Sequence, residues 1–293
     1  MSEPVIKLIK VKKIYYLSKE IQVHALRGVD LEVDRGELLI IMGPSGSGKT
    51  TLLQIMGTLD KPTEGRVIVD GIDVTDFSER QLSKLRREKI GFVFQFFNLI
   101  PTLTAIENVM LPMLLAGKYT KDEALAKAKL LLTIVGLEES RWLNVPRKLS
   151  GGQQQKVAIA RALANNPSYV LMDEPTGNLD VFSSVRVLDT VKWLNQFYGQ
   201  TFIIVTHNPE VAEMGSRIVY IRDGKIMETP KVLLRIESLK LPEEEVKERL
   251  KAQMELLKIE LKSAKRRGLS SEILDEIERK VVRTEEALRE VQS

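Results

Sequence analysis

The stretch Gly43-Pro44-Ser45-Gly46-Ser47-Gly48-Lys49-Thr50 restricts the fold more than any other part of the chain. It fits the spacing Gly-x-x-x-x-Gly-Lys-Thr of a phosphate-binding loop. The apolar run Leu38 to Met42 precedes it, as a strand buried on both faces would, and Lys49 to Thr58 reads as a helix. Glycines let backbone N–H groups curl around an anion, and the helix turns its positive end toward the phosphates. In that setting Lys49 reaches the β and γ phosphates and the Thr50 hydroxyl ligates Mg2+. A glycine-rich turn without a ligand is the competing reading, and a second motif weighs against it. Val170-Leu171-Met172-Asp173-Glu174 reads as a buried strand ending in two acids. Asp173 is placed to hold Mg2+ through water, and Glu174 to orient and deprotonate a water attacking the γ-phosphate.

Composition narrows the classes further. Hydrophobic residues make up 43% of the 293 residues and charged residues 29%, which suits a folded chain rather than wholesale disorder. The absence of cysteine excludes disulfide scaffolds, thiolate zinc sites and cysteine nucleophiles. Two histidines, His24 and His207, exclude a histidine-rich metal site, and His24 is assigned no role. The net charge is +4 from 44 basic and 40 acidic residues, too small a balance to point to nucleic acid or a membrane surface. Met1-Ser2-Glu3-Pro4 does not lead into a basic stretch and an apolar run, so no signal peptide is expected. No stretch approaches the roughly 18 apolar residues needed to span a bilayer. The most apolar, Val109 to Ala116, is short and holds Pro112. A cytoplasmic chain that meets a membrane through a partner is the expectation.

Periodicity places the other elements. Residues 5–11 and 29–33, Val67 to Val69, Ile90 to Phe94, Tyr169 to Met172 and Thr201 to Val205 read as strands. Val219 to Ile221 and Ile226 to Glu228 flank Asp223-Gly224 as a closing hairpin. Ser78 to Glu88, Thr104 to Val135 and Gln153 to Ala164 read as helices, with a break at Ser150-Gly151-Gly152. From Glu243 onward nearly half the residues are charged. Apolar side chains there recur by fours and threes, from Val246 through Ala264 and, past Gly268, from Ile273 through Val291. Ser270 or Ser271 is placed to cap the second helix. This pattern gives a helical hairpin or a coiled-coil segment, either a solvated appendage or a dimerisation or docking element.

Leu149-Ser150-Gly151-Gly152-Gln153 decides the subclass. It resembles the signature motif of the ATP-binding-cassette (ABC) ATPases. Gln95 after the strand from Gly91 to Phe94 resembles that family's Q-loop, Gly177-Asn178-Leu179-Asp180 its D-loop, and His207 its switch histidine. Tyr15 or Tyr16 matches the aromatic that stacks on adenine. Tyr15 follows a Lys-Lys-Ile lead-in, and the spacing to Ala25-Leu26 suits Tyr16 equally. The wording is most similar to the ATPase subunits of lipoprotein-release and macrolide-export transporters, through Leu59-Asp60-Lys61-Pro62-Thr63, Phe94-Gln95 with Asn98-Leu99, and Leu149 through Ala164. It also resembles the related cell-division ATPase.

The resemblance implies an α/β fold: a P-loop NTPase (RecA-like) core, an antiparallel β subdomain and an α-helical signature subdomain at about 96–165. Together these fill residues 1–235, and 236–293 form a charged helical extension outside the resemblance. It further implies that ATP is held by Tyr15, by Gly43, Pro44, Ser45, Gly46, Ser47, Gly48, Lys49, Thr50 and Thr51, and by Ser150, Gly151, Gly152 and Gln153. Thr50, Gln95 and Asp173 would bind Mg2+, and Glu174, His207 and Gln95 would serve catalysis. Two copies would pack head to tail, each ATP lying between one chain's P-loop and the other's signature. Closure of that dimer would drive a permease on a separate chain, so that this chain lies peripherally on the inner face of the membrane. The alternative is a mechanotransmission or cell-division complex that moves no solute. A soluble cassette acting on nucleic acid fits less well, because no basic stripe is present. Phe96-Phe97-Asn98-Leu99-Ile100-Pro101 would line a groove for a permease helix, or else pack into the helical core. Phe96 stands where close relatives often have Gln, and Lys156 where they commonly have Arg, whose planar fork Lys does not reproduce.

Overall fold

The computed structural model describes residues 4–16, 18, 21–227 and 242–291. In chain order the first elements are β1 (Ile6–Tyr16), β2 (Gln22–Val33), β3 (Leu38–Met42), α1 (Lys49–Met56), β4 (Glu64–Val69), β5 (Ile72–Asp73), α2 (Glu79–Lys89) and β6 (Ile90–Val93). Helices α3 (Ala105–Ala116), α4 (Lys121–Ile134) and α5 (Gly151–Leu163) follow. Next come β7 (Tyr169–Asp173), α6 (Val181–Gln196), β8 (Thr201–Thr206), α7 (Pro209–Ala212), β9 (Arg217–Arg222) and β10 (Lys225–Met227). The tail forms α8 (Glu243–Arg266) and α9 (Ser271–Glu290). The described residues divide into two compact units, one of residues 4–95, 167–177 and 200–227, the other of 96–166, 178–199 and 242–291. The boundary expected at 235/236 and the hairpin end at Glu228 lie outside the described residues.

In the first unit, β2-β1-β4-β5 make an antiparallel sheet and β10-β9-β3-β8-β7-β6 a second sheet. The second sheet is parallel from β9 to β6, with β10 antiparallel at its edge. Its central strands β3, β7 and β8 are buried along nearly their whole length, which is why they read as unbroken apolar runs. One core joins Leu8, Val11 and Leu31 of the antiparallel sheet to Leu39, Ile41, Leu171 and Ile203 of the parallel one, with Leu52 and Ile55 of α1. Register then positions the chemistry. Met42 pairs with Thr206, and Asp173 with Val205, so β3, β7 and β8 end side by side. Carboxyl ends of parallel strands are where such sheets build their sites.

Helices α3, α4 and α5 of the second unit begin where a hydroxyl residue and an acid or amide three residues on satisfy each other's backbone N–H, whereas Ser270, at the start of α9, makes no side-chain cap bond. Thr104 with Glu107, Thr120 with Glu123, and Ser150 with Gln153 are complete capping boxes. The helical stretch expected over Thr104 to Val135 is therefore two helices: Gly117, at φ +64°, ends α3, and the Thr120 box starts α4. Helix α5 starts at Gly151, two residues earlier than its apolar pattern suggested, because Ser150 is its cap. The tail is not a solvated appendage. Helix α8 packs along α4 and α9 along α8, and α8 buries Leu250, Leu256, Leu257 and Ala264.

Candidate active site

The loop between β3 and α1 is held open by its glycines. Gly48, the residue before α1, sits at φ +104°, and a Cβ there would lie 2.5 Å from the Ala25 carbonyl oxygen. A side chain is excluded at that position by backbone and by space alike. The Ser47 carbonyl accepts from Gly224 N–H (3.0 Å), and the Gly224 carbonyl from Arg27 N–H (2.8 Å), so the β9–β10 turn and β2 brace the loop. Lys49 Nζ donates to the carbonyls of Gly43 (2.7 Å) and Pro44 (2.9 Å), which fixes the ammonium across the loop. Pro44, Ser45, Gly46 and Thr50 are exposed, as a loop that receives a solute from solvent requires.

Tyr15 and Tyr16 have different environments because successive strand residues face opposite ways. The Tyr15 hydroxyl donates to Asp60 Oδ2 (2.9 Å), and Lys13 Nζ binds Asp60 Oδ1 (2.6 Å) while lying over the Tyr15 ring. Burial and the Asp60 carboxylate raise the Tyr15 pKa, and a hydrogen bond with Thr51 of α1 opposes them. Tyr15 is thus anchored beside the helix that follows the loop, whereas Tyr16 is 64% exposed.

At the end of β7, burial and then the neighbouring Glu174 carboxylate raise the pKa of Asp173, against the pull of Lys49. Glu174 takes φ +44°, a left-handed conformation that non-glycine residues seldom adopt. It persists because the surroundings over-determine it. Glu174 N–H donates to the Val205 carbonyl (2.9 Å). Its Oε2 accepts from Thr206 Oγ1 (3.0 Å) and its Oε1 from His207 N–H (3.0 Å). His207 Nδ1 lies 2.6 Å from the same Oε1. The carboxylate is largely enclosed, at 17% exposure, while the His207 ring is 75% exposed. Gln95, just past β6, reaches the same turn: a Cβ on Gly177 would lie 2.8 Å from its Nε2.

Tyr15, the loop residues 43–51, Gln95, Asp173, Glu174 and His207 therefore belong to one unit, clustered at the ends of neighbouring strands. Ser150, Gly151, Gly152 and Gln153 belong to the other, where they start α5: Gln153 N–H donates to Ser150 Oγ (3.3 Å), and Ser150 N–H to Gln153 Oε1 (3.0 Å). Asp180, at the end of the stretch likened to a D-loop, caps α6 by accepting from Ser183 N–H (2.9 Å). Sequence reading missed Thr206 and the anchoring role of Asp60. A threonine closing the strand before His207 was the available signal for the first.

The family model described as ABC transporter matches residues 26–177. The lipoprotein-releasing system ATP-binding protein LolD 1 of Chlorobium chlorochromatii is 45% identical over 226 residues, covering 77% of this chain and 92% of that protein. The macrolide export ATP-binding/permease protein MacB of Syntrophobacter fumaroxidans is 52% identical over 222 residues, covering 75% of this chain and 31% of that much longer protein. Among solved structures, the ATP-binding cassette MJ0796 of Methanocaldococcus jannaschii, in a dimeric post-hydrolysis state bound to ADP and Pi, superposes with a TM-score of 0.71. It is 47% identical in sequence, and the match covers 78% of this chain and 99% of that one. Identity at this level, carried across almost the whole of an independent cassette, assigns the chain to the ABC transporter family as an ATP-binding subunit and ATPase.

Proposed function

We propose that this chain hydrolyses Mg-ATP in a head-to-tail dimer and so drives a membrane permease of the export or lipoprotein-release type, carried on a separate chain. The observation that carries the reading is the Glu174 carboxylate, enclosed and pinned by Thr206 and His207 from the adjacent strand, beside Asp173 and the P-loop. A carboxylate so fixed accepts a proton from water as that water attacks the γ-phosphorus and the bond to the bridging oxygen breaks, giving ADP and phosphate. His207 steers it from 2.6 Å. Lys49 and the loop N–H groups neutralise the phosphates, and Tyr15, anchored beside Thr51, supplies the adenine platform. Ser150 and the start of α5 would close on the γ-phosphate of the partner's ATP, a helix N-terminus against an anion.

Thr50, Gln95 and Asp173 fit a magnesium ion. They are hard oxygen donors, and burial and then the Glu174 charge, which together raise the Asp173 pKa, are what a cation would offset. Among the described residues no group of three or more His, Cys, Asp or Glu could cage a metal. This suits Mg2+, which keeps waters and substrate oxygens as ligands and would supply charge neutralisation on the phosphates.

LolD and MacB are named for lipoprotein release and macrolide export, which supports the transporter class. Exposed Phe96, Ile100, Leu114 and Leu115 in the second unit offer an apolar surface to the permease. The test is Glu174→Gln. It should bind ATP with unchanged affinity, lose at least a hundredfold in turnover and accumulate as an ATP-dependent dimer in size-exclusion chromatography. Near-normal turnover would remove Glu174 as the base.

A further inference from the structure

The tail lies beyond the matched family region at residues 26–177, yet its Arg249 lines one groove with Gly136 and with Lys156 of the helix that starts at the signature. Lys156, two turns into α5, donates from Nζ to the Gly136 carbonyl (2.9 Å). Gly136 follows α4 at φ +69°, and a Cβ on it would lie 2.5 Å from Arg249 Nη2. Arg249, on α8, is 2% exposed, pairs with Glu245 (2.6 Å) and lies over the Trp193 ring of α6 at 5.7 Å from its centroid. Burial, then the positive charges of Arg249 and Arg186, lower the Lys156 pKa to about 8. The tail thus sets the environment of a signature-helix side chain through one glycine. We infer that α8 is a positioning element for the signature helix, acting through Arg249, Gly136 and Lys156. Arg249 touches no reacting atom; its guanidinium fills the space beside Gly136 that a side chain would take, and the carbonyl of that same glycine anchors Lys156, so Arg249 fixes how α5 presents Ser150 and Gln153.

This inference rests on the proposed ATP-sandwich dimer, and its experiment separates the two. The full chain carrying Glu174→Gln is compared with the same chain carrying also Arg249→Met, Arg249→Lys or Lys156→Met. Three quantities are read: affinity for a fluorescent ATP analogue at low protein concentration, the Mg-ATP concentration giving half-maximal dimer, and the melting temperature. Arg249→Met should keep nucleotide affinity within twofold, because the P-loop belongs to the other unit, while needing about tenfold more ATP to dimerise. Arg249→Lys, which keeps the charge beside Glu245, should return most of that loss, and Lys156→Met should reproduce it. If the Arg249→Met chain does not fold, Lys156→Met alone decides. Dimerisation matching the parent in Lys156→Met or in a folded Arg249→Met chain overturns the positioning role. A loss of dimerisation that only tracks a lowered melting temperature, with no return in Arg249→Lys, overturns it too. A Glu174→Gln parent that fails to dimerise removes the sandwich, and the positioning role falls with it.

Discussion

Glu174 occupies a left-handed backbone position that costs an L-residue roughly 1–2 kcal/mol, and the bond it donates to Val205 and those it accepts from Thr206 and His207 offset it. Thr206 is the residue whose contribution separates geometry from chemistry. Its hydroxyl donates to Oε2 while the His207 contacts are at Oε1, so the two partners fix the carboxylate plane from opposite oxygens. A hydrogen bond to a charged group contributes about 1.5–3 kcal/mol. Thr206→Val keeps the shape of the strand end and removes that bond, so kcat should fall about tenfold or more while KM for ATP moves less than twofold. Steady-state phosphate release checks it, and an unchanged kcat would show that His207 alone orients the base. Thr206 was not legible as a site residue, because its meaning depends on the pairing of β7 with β8, and sequence does not print register. Strand alternation separated Tyr15 from Tyr16 only once Asp60 and Thr51 were placed beside Tyr15. By contrast, the P-loop and the acids at the end of β7 could be read as motifs because each stands at the end of an apolar run of the buried-strand type, whereas Gln95 and His207 were picked out only by resemblance to the family.

Elements were legible where their ends carried chemistry. The strand before the P-loop and the helix after Ser150 announced themselves through glycine turns and a cap. Helix α6 went unread: its mixed apolar and polar face has no strong period, and the Asp180 cap was absorbed into a functional motif. The tail pattern was plain, but periodicity says which face is apolar and not what covers it. The partner is α4, and the joint is a buried ion pair. Lys127 Nζ, fully buried, contacts Glu260 (3.2 Å), Asn166 Oδ1 (2.5 Å) and the Tyr119 hydroxyl (2.9 Å), and Tyr198 donates to the same Glu260 oxygen (3.2 Å). Burial pulls the Lys127 pKa down, but Glu260 and Tyr119 together outweigh it and hold the pKa above its ordinary value, so the ammonium stays charged. Breaking such a pair from one side strands the other charge and costs about 3–5 kcal/mol, whereas replacing both partners with apolar groups is often nearly neutral. Lys127→Met and Glu260→Leu should each destabilise the helical unit by that amount, and the double variant should recover most of it. Urea titration followed by far-ultraviolet circular dichroism measures this. Single variants that lose less than about 1 kcal/mol would mean that water reaches the pair.

At the scale of the whole molecule, the proposed function requires an ATPase with a net charge of +4 to work at a membrane. No helix among the described residues is long and apolar enough to cross one. Charge does not supply the attraction, because a near-balanced surface gives little pull toward anionic lipid. Under the proposed function, contact falls to apolar surface that docks on a membrane partner. Phe96 is 74% exposed directly after Gln95, and Phe97 and Asn98 follow at positive φ, so the chain holds an unfavourable backbone to present this turn. An exposed aromatic on a strained turn suits the hot spot of an interface, where truncating such an anchor costs 2 kcal/mol or more, a loss of about thirtyfold in affinity. Glu174→Gln protein, tagged and recovered from its native membranes with Mg-ATP, should bring down a multi-spanning chain in near-equal amount. Adding Phe96→Ala should cut that recovery severalfold while leaving ATP-dependent dimerisation intact, since dimerisation is assigned to the P-loop and signature. Recovery unaffected by Phe96→Ala would move the docking surface elsewhere on the helical unit. Recovery of soluble partners alone would leave the ATPase in place and remove the permease.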